Sequence, residues 1–281
     1  MKRIVLPTDF SNNAWNAIAY ALQLFKDEDC TFYFLHTYVP AFYRMDYMMG
    51  GPAFSGLPDP MIEVSLSGLE NTVVKAKENY PNPKHTYETL SAFNILSDEI
   101  KEVVEREDID MVVMGTQGAT GAKEIFLGSN TVFVLRKATV PVLAIPENCH
   151  FTPVEKILFP SDYLTMYKRR ELKAVCEIAK NFNASITVLH VLEEGDISEK
   201  QEKNREFIEE CMQGIEHTFK ELEGQVMPKA IYEYLEINKF DMLAMMNRKH
   251  SFFERLLLRQ NVDDIGFHID IPFLVMRDTS H

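Results

Sequence analysis

The strongest constraint on the fold is that the chain repeats itself. Ile4-Val5-Leu6-Pro7-Thr8-Asp9 returns as Ile157-Leu158-Phe159-Pro160-Ser161-Asp162, each a short apolar run ending in proline, a hydroxyl residue and aspartate. Phe34-Leu35-His36 then returns as Val188-Leu189-His190, and His85-Thr86-Tyr87 as His217-Thr218-Phe219. Asp110-Met111-Val112-Val113-Met114 returns as Asp241-Met242-Leu243-Ala244-Met245, and Pro141-Val142-Leu143-Ala144-Ile145 and Pro272-Phe273-Leu274-Val275-Met276 close the two halves. Matches that keep one order along the whole chain mark a duplication. The 281 residues divide into two domains of ordinary size, about 140 residues each. The expected boundaries are 1–148 and 149–281, with the join near Pro146–Pro153.

The second copy of the first motif lies 153 residues on, and that of the fourth only 131, so the first half carries about 22 extra residues. They fall between Val39 and Pro60. That stretch is rich in Pro, Gly, Met and aromatic residues, a composition that suits an irregular flap. Elsewhere in the first half, apolar runs alternate with amphipathic stretches. Arg3–Pro7, Thr31–Tyr38, His85–Leu90, Met111–Gly115 and Val140–Ile145 read as strands, and Ala14–Phe25, Ile62–Glu78, Ala92–Glu107 and Ser129–Arg136 as helices. Short apolar strands alternating with helices imply a parallel sheet covered on both faces. Right-handed crossovers make each half a doubly wound, Rossmann-like α/β domain, and ligands of such sheets bind outside the carboxyl ends of the strands. Asp9 and Gly115 both stand at such ends.

A formal net charge of −13 argues against non-specific nucleic-acid binding, because a polyanion is repelled. It leaves room for a nucleotide held by backbone N–H groups. Cys30, Cys149, Cys176 and Cys211 lie far apart without metal-ligand spacing, so buried thiols in a reducing compartment are expected. The opening MKRIVLPTDF enters a strand-like run at once, and no run approaches the ~20 apolar residues of a membrane span. The expectation is a cytoplasmic protein that binds neither membrane nor nucleic acid, with no protein metal site and no catalytic residue set.

After Met114 comes Gly115-Thr116-Gln117-Gly118-Ala119-Thr120-Gly121, and later Gly128-Ser129-Asn130 ahead of an apolar-periodic helix. Glycines let a backbone approach a ligand with no Cβ in the way. Ser129 reads as the N-cap region of that helix, where amides, the helix dipole and the hydroxyl suit phosphate. The loop is neither a Walker A sequence nor a GxGxxG fingerprint. A glycine turn without a ligand is the alternative.

The spacing Gly115-x2-Gly118-x9-Gly128-Ser129 resembles the ATP-binding motif of the universal stress protein (UspA-like) family. The likeness extends from the first strand, LPTDFS, through DMVVMGTQGATG and LGSN to the closing VPVLAIP. The two halves together resemble a tandem universal stress protein, with an adenine nucleotide alpha hydrolase-like fold and an internal pseudo-dimer through the closing strands. By that resemblance Asp9 binds ribose or adenine, with Pro7 and Thr8 shaping the wall and Thr37–Tyr38 lending backbone groups to the adenine edge. Met114 lies against the nucleotide, Gly115 and Gly118 line the triphosphate, and Gly128, Ser129 and Asn130 cradle phosphates. Ala119 stands where many relatives carry Arg or Lys, so Lys123 or Mg²⁺ is left to supply positive charge.

The second half has lost the motif. Aligned on Asp241, Met246 replaces Gly115, Lys249 Gly118, Arg259 Gly128 and Gln260 Ser129. The basic, aromatic stretch from Asn247 to Arg255 reads as a solvated loop, a docking surface or an anion site. Asp162 reads as a strand-end or cap residue, and His36 and His190 as satisfied strand-end histidines. Glu193/Glu194 and Glu209/Glu210 read as surface acids, and the Met- and aromatic-rich flap as a lid, a docking site or a mobile loop tip. The expected function is a nucleotide-binding stress-response regulator with one ATP per chain and a possible further homodimer. Slow ATP hydrolysis or phosphotransfer, for which Asp9 and Glu124 are the candidate bases, and a nucleotide-free scaffold are the alternatives.

Overall fold

The computed structural model describes residues 1–38, 60–116, 127–192, 196–223, 229–248, 254 and 270–279. These form two compact units, the first ending at Val140 and the second beginning at Pro141. The expected flap, together with Gly118, Ala119, Lys123, Glu124, Glu193, Glu194, Lys249, Arg259 and Gln260, lies outside the described residues.

The first unit alternates β1 (Lys2–Pro7), α1 (Asn12–Leu24), β2 (Cys30–Thr37), α2 (Pro60–Asn79), β3 (His85–Ala92), α3 (Leu96–Glu107), β4 (Met111–Gly115) and α4 (Ser129–Lys137). Its strands lie in the order β3-β2-β1-β4. All are parallel, with Ile4 opposite Phe32 on one side and Met111 on the other. Ile4, Val5 and Leu6 are completely buried, as a central strand covered on both faces requires. The connections run from β1 outward to β3, then cross back to β4. With right-handed crossovers, α1 and α2 cover one face and α3 the other. The reversal falls between the carboxyl ends of β1 and β4. The helix expected from Ala92 begins later, at Leu96, because Ala92 is still paired with Thr37 as the last residue of β3.

The second unit contains β5 (Val142–Ile145), β6 (Lys156–Pro160), α5 (Arg169–Phe182), β7 (Ser185–Leu192), α6 (Glu199–Cys211), β8 (His217–Glu223), α7 (Lys229–Asn238), β9 (Met242–Asn247) and β10 (Phe273–Arg277). Its order is β5-β10-β9-β6-β7-β8. β6 to β10 are parallel, whereas β5 pairs antiparallel with β10, Leu143 opposite Leu274. The two closing strands therefore pair, as expected. The strand that ends the first repeat in sequence belongs to the second unit in space.

The duplication reaches individual hydrogen bonds. In the β1–α1 turn, Thr8 N–H donates to Leu35 O, Phe10 N–H to Thr8 Oγ1, and Ser11 N–H to Asp9 Oδ1. In the β6–α5 turn, Ser161 N–H donates to Leu189 O, Tyr163 N–H to Ser161 Oγ, and Leu164 N–H to Asp162 Oδ1. Phe10 and Tyr163 both take positive φ, 64° and 55°. Their rings lie 4.5 Å from His36 and 4.7 Å from His190. A hydroxyl and the carboxylate next to it, each accepting from the amide two residues on, fold this turn, which is why the motif Pro-Thr/Ser-Asp survives in both halves.

All four cysteines are thiols rather than disulfides. Only Cys30 and Cys176 are buried, while Cys149 and Cys211 are half-buried, less enclosed than the sequence predicted. Burial pushes the Cys30 thiol up to about 12. Glu209 and Glu210 are exposed on α6. No helix among the described residues is long and apolar enough to cross a membrane.

Candidate functional site

At the reversal point of the first unit, a cleft of about 300 Å³ opens between the ends of β1, β2 and β4 and the start of α4. Pro7, Thr8, Asp9, Thr37, Met114, Gly115, Gly128, Ser129 and Asn130 all line it, together with Ala14, His36, Leu96 and Thr131. Its volume lies at the lower end of the range for small-molecule sites. Of the positions expected from sequence, Tyr38 is the one described residue outside the lining. Its N–H continues the sheet by donating to Ala92 O at 3.0 Å, and its ring lies nearly parallel to that of His36. Gly118 lies outside the described residues.

Local chemistry holds the walls in place. Gly115 closes β4 against Asn13 of α1, and a Cβ on it would stand 2.8 Å from Asn13 Oδ1. Thr131 Oγ1 donates to Gly115 O at 3.1 Å, tying the first turn of α4 to the strand end. The backbone leaves at Thr116 and is recaptured where Gly128 N–H donates to Thr116 O at 2.8 Å. Ser129 is the first residue of α4 rather than its cap. The cap position falls on Gly128, which has no side chain to bond the first-turn amides. Those amides are the ones a helix cannot satisfy internally, and no side chain at the cap position bonds them.

The electrostatics of the lining are simple. Among its described residues none carries a positive charge, and Asp9 is the single acid. An anion entering here meets backbone N–H groups and the positive end of α4, and its favourable interactions come from dipoles. His36 sits beside Asp9. Burial holds it below the ordinary imidazole value of 6.5, although the Asp9 charge works in the opposite direction. Its Nδ1 is 2.8 Å from Ser65 Oγ, which is 2.7 Å from Ser91 Oγ. Sequence reasoning treated His36 as a satisfied strand-end histidine. The structure satisfies one nitrogen and also sets the residue in the cleft. The available signal was its place directly before Thr37, at the end of a strand flanking β1.

In the corresponding region of the second unit, described side chains pair with one another. Glu171, at the third position of α5 as Ala14 is at the third position of α1, is buried with Arg248, the guanidinium Nη2 lying 2.7 Å from Glu171 Oε2. Arg248 Nε also donates to Asp278 Oδ2 at 3.0 Å, and its guanidinium lies over the Tyr167 ring. Glu171 Oε1 accepts from both the N–H and the hydroxyl of Thr279. Arg248 belongs to the basic stretch that sequence left open as solvated, docking or anion-binding. At this residue the charge is neutralised internally. Asp162, expected at a strand end or a helix cap, accepts from Leu164 N–H in the turn that follows β6.

Comparison with known proteins agrees with this architecture. A profile of the universal stress protein family matches residues 1–146. Universal stress protein MJ0531 of Methanocaldococcus jannaschii is 31% identical over 153 residues, which is 51% of this chain and 81% of that protein. Universal stress protein MJ0577 of the same organism is 30% identical over 155 residues, 51% of this chain and 94% of the relative. The crystal structure of a universal stress protein from Archaeoglobus fulgidus superposes with a TM-score of 0.65 at 20% identity, covering 98% of this chain and 96% of that one. One from Pseudomonas aeruginosa gives 0.60 at 12% identity, covering 99% and 93%. Fold and cleft define a doubled Rossmann-like α/β protein with a crevice at the switch point of its first unit. The chain belongs to the universal stress protein family.

Proposed function

We propose that the chain is an ATP-binding regulatory protein of the cytoplasm, in which residues 1–148 hold one adenine nucleotide and residues 149–281 hold none. Asp9 takes the nucleoside end, with Pro7, Thr8 and Thr37 around it and Met114 against the nucleotide. Gly115, Gly118, Gly128, Ser129 and Asn130 take the phosphates. The observation that carries this reading is the convergence, at one switch point, of a strand end that admits no Cβ and a helix N-terminus capped by glycine. That combination lets phosphate oxygens reach backbone amides. With no cationic side chain among the described lining residues, Mg²⁺ brought with the nucleotide would complete the charge balance. In the second unit the Glu171–Arg248 pair supports a site given up to internal packing. The β5–β10 pair supports an internal pseudo-dimer.

Binding of ATP favours whichever conformation holds it better, which makes occupancy a regulatory signal. The test is calorimetric titration of ATP, with and without Mg²⁺, into the wild type, Gly128→Arg and Asp9→Ala. Saturable binding at one site per chain, lost in Gly128→Arg and weakened in Asp9→Ala, is expected. Equal binding by all three proteins would sink the assignment.

A further inference from the structure

We infer that His36 is the second contact to the nucleoside end of the ligand, and that the Asp9–His36 pair selects a ribonucleoside over its 2′-deoxy counterpart. This rests on the nucleotide reading above and adds a determinant of specificity to it. Both residues line the cleft at neighbouring strand ends, since β1 and β2 are paired with Pro7 opposite Leu35. Gly115, Gly128 and Ser129 gather at the other strand end and the start of α4. The cleft therefore has a backbone-rich end suited to phosphate and a side-chain-rich end suited to hydroxyl groups.

The imidazole is held on two sides. Ser65 Oγ engages Nδ1 at 2.8 Å, and Ser91 holds Ser65 in turn at 2.7 Å. The Phe10 ring lies 4.5 Å away, tilted by 31°, and Phe10 is itself pressed against Gly68 of α2. Among the described residues Nε2 has no hydrogen-bond partner. A neutral imidazole with one nitrogen engaged offers a single donor or acceptor at the other. A carboxylate offers acceptors alone. Together they match a vicinal diol, whose two hydroxyls each donate and accept.

The second repeat provides an internal control. His190 keeps the same ring contact, with Tyr163, but its Nδ1 is 2.8 Å from Ser161 O and the residue is buried. Aligned on the starts and buried positions of α2 and α6, Ser65 has its counterpart in Asn204, which donates instead to Tyr163 O. The histidine is thus common to both turns, whereas the serine pair that aims it into a cleft is confined to the first.

The test measures affinities for ATP, 2′-deoxyATP and inorganic tripolyphosphate in the wild type, His36→Phe and Ser65→Ala. His36→Phe keeps a ring against Phe10 and removes Nε2. The wild type should prefer ATP over 2′-deoxyATP by about tenfold, the worth of one well-made hydrogen bond. In His36→Phe that ratio should fall to near one with tripolyphosphate affinity unchanged. Ser65→Ala, which leaves the imidazole but frees it, should lower the ratio partway and carries the test if His36→Phe fails to fold. A ratio near one in the wild type, or an unaltered ratio in the variants, overturns the inference while nucleotide binding stands. Absence of ATP binding in the wild type overturns both.

Discussion

The carboxamide of Asn13, buried in the first turn of α1, lies directly against the Cα of Gly115 at the end of β4, so that an added Cβ would meet Oδ1 at 2.8 Å and Cγ at 2.9 Å. This contact sets how closely the helix approaches the strand beneath the cleft. Gly115→Ala must displace a buried amide and should cost about 1–3 kcal/mol, as overpacking does. In an Asn13→Ala background the obstacle is gone. The same substitution should then cost much less, a coupling that urea denaturation of the four proteins would measure.

The Phe10 ring occupies the space a side chain at Gly68 would need. Phe10 is held at φ 64° by the hydroxyl of Thr8, directly beside Asp9. Gly68→Ala should therefore cost about 1–3 kcal/mol, and it should also change the chemical shifts of the Asp9–Ser11 amides in a nitrogen–proton correlation spectrum. Shifts confined to α2 would show that Phe10 yields without moving the turn.

The Glu171–Arg248 pair is buried, with side-chain exposures of 0% and 9%. Removing one partner strands the other charge, so Arg248→Met should destabilise the protein by about 3–5 kcal/mol. Substituting both residues with apolar ones should cost less than the sum of the single changes. Limited trypsin digestion gives a second readout. Arg277 precedes Asp278 and Thr279, which the pair holds, and cleavage after Arg277 should speed up in Arg248→Met.

Stability should also depend on pH through two histidines of the first unit. Burial depresses both His36 and His85 below 6.5, against the Asp9 charge at the first and the Phe25 carbonyl bond at the second. His85 Nδ1, which would take the proton, is buried without a hydrogen-bond partner among the described residues. The unfolded chain binds protons near 6.5 and the folded chain resists them. The stability these residues confer is thus present above 6.5 and is lost as pH falls below it. The urea midpoint should drop between about pH 7 and about pH 5, and His85→Asn should flatten that drop.

Much of this molecule can be read from order and spacing. The repeat marks the matching strands of both units, and the strand ends at Asp9 and Gly115 mark the cleft, because both depend on periodicity and on local turn chemistry. What could not be read depends on contacts distant in sequence. His36 enters the cleft through Ser65, 29 residues on, and Ser91, 26 beyond that. Arg248 is neutralised by Glu171, 77 residues away. No local pattern distinguishes a solvated arginine from one that will meet a buried carboxylate. The start of α4 at Ser129 is legible in the sequence, whereas its cap falls on the residue before. Serine is the commoner N-cap, but here glycine holds the position and serine begins the helix.

The placement of β5 has a consequence for how such a protein can be divided. A fragment cut at the end of the first repeat would carry Val142–Ile145 away from Phe273–Arg277, leaving a fully apolar strand with an open hydrogen-bonding edge. Open edges recruit other strands, and the nearest substitute for β10 is β5 of another fragment. A severed first half should therefore sediment as a two-fold dimer, its β5 edges closed against each other.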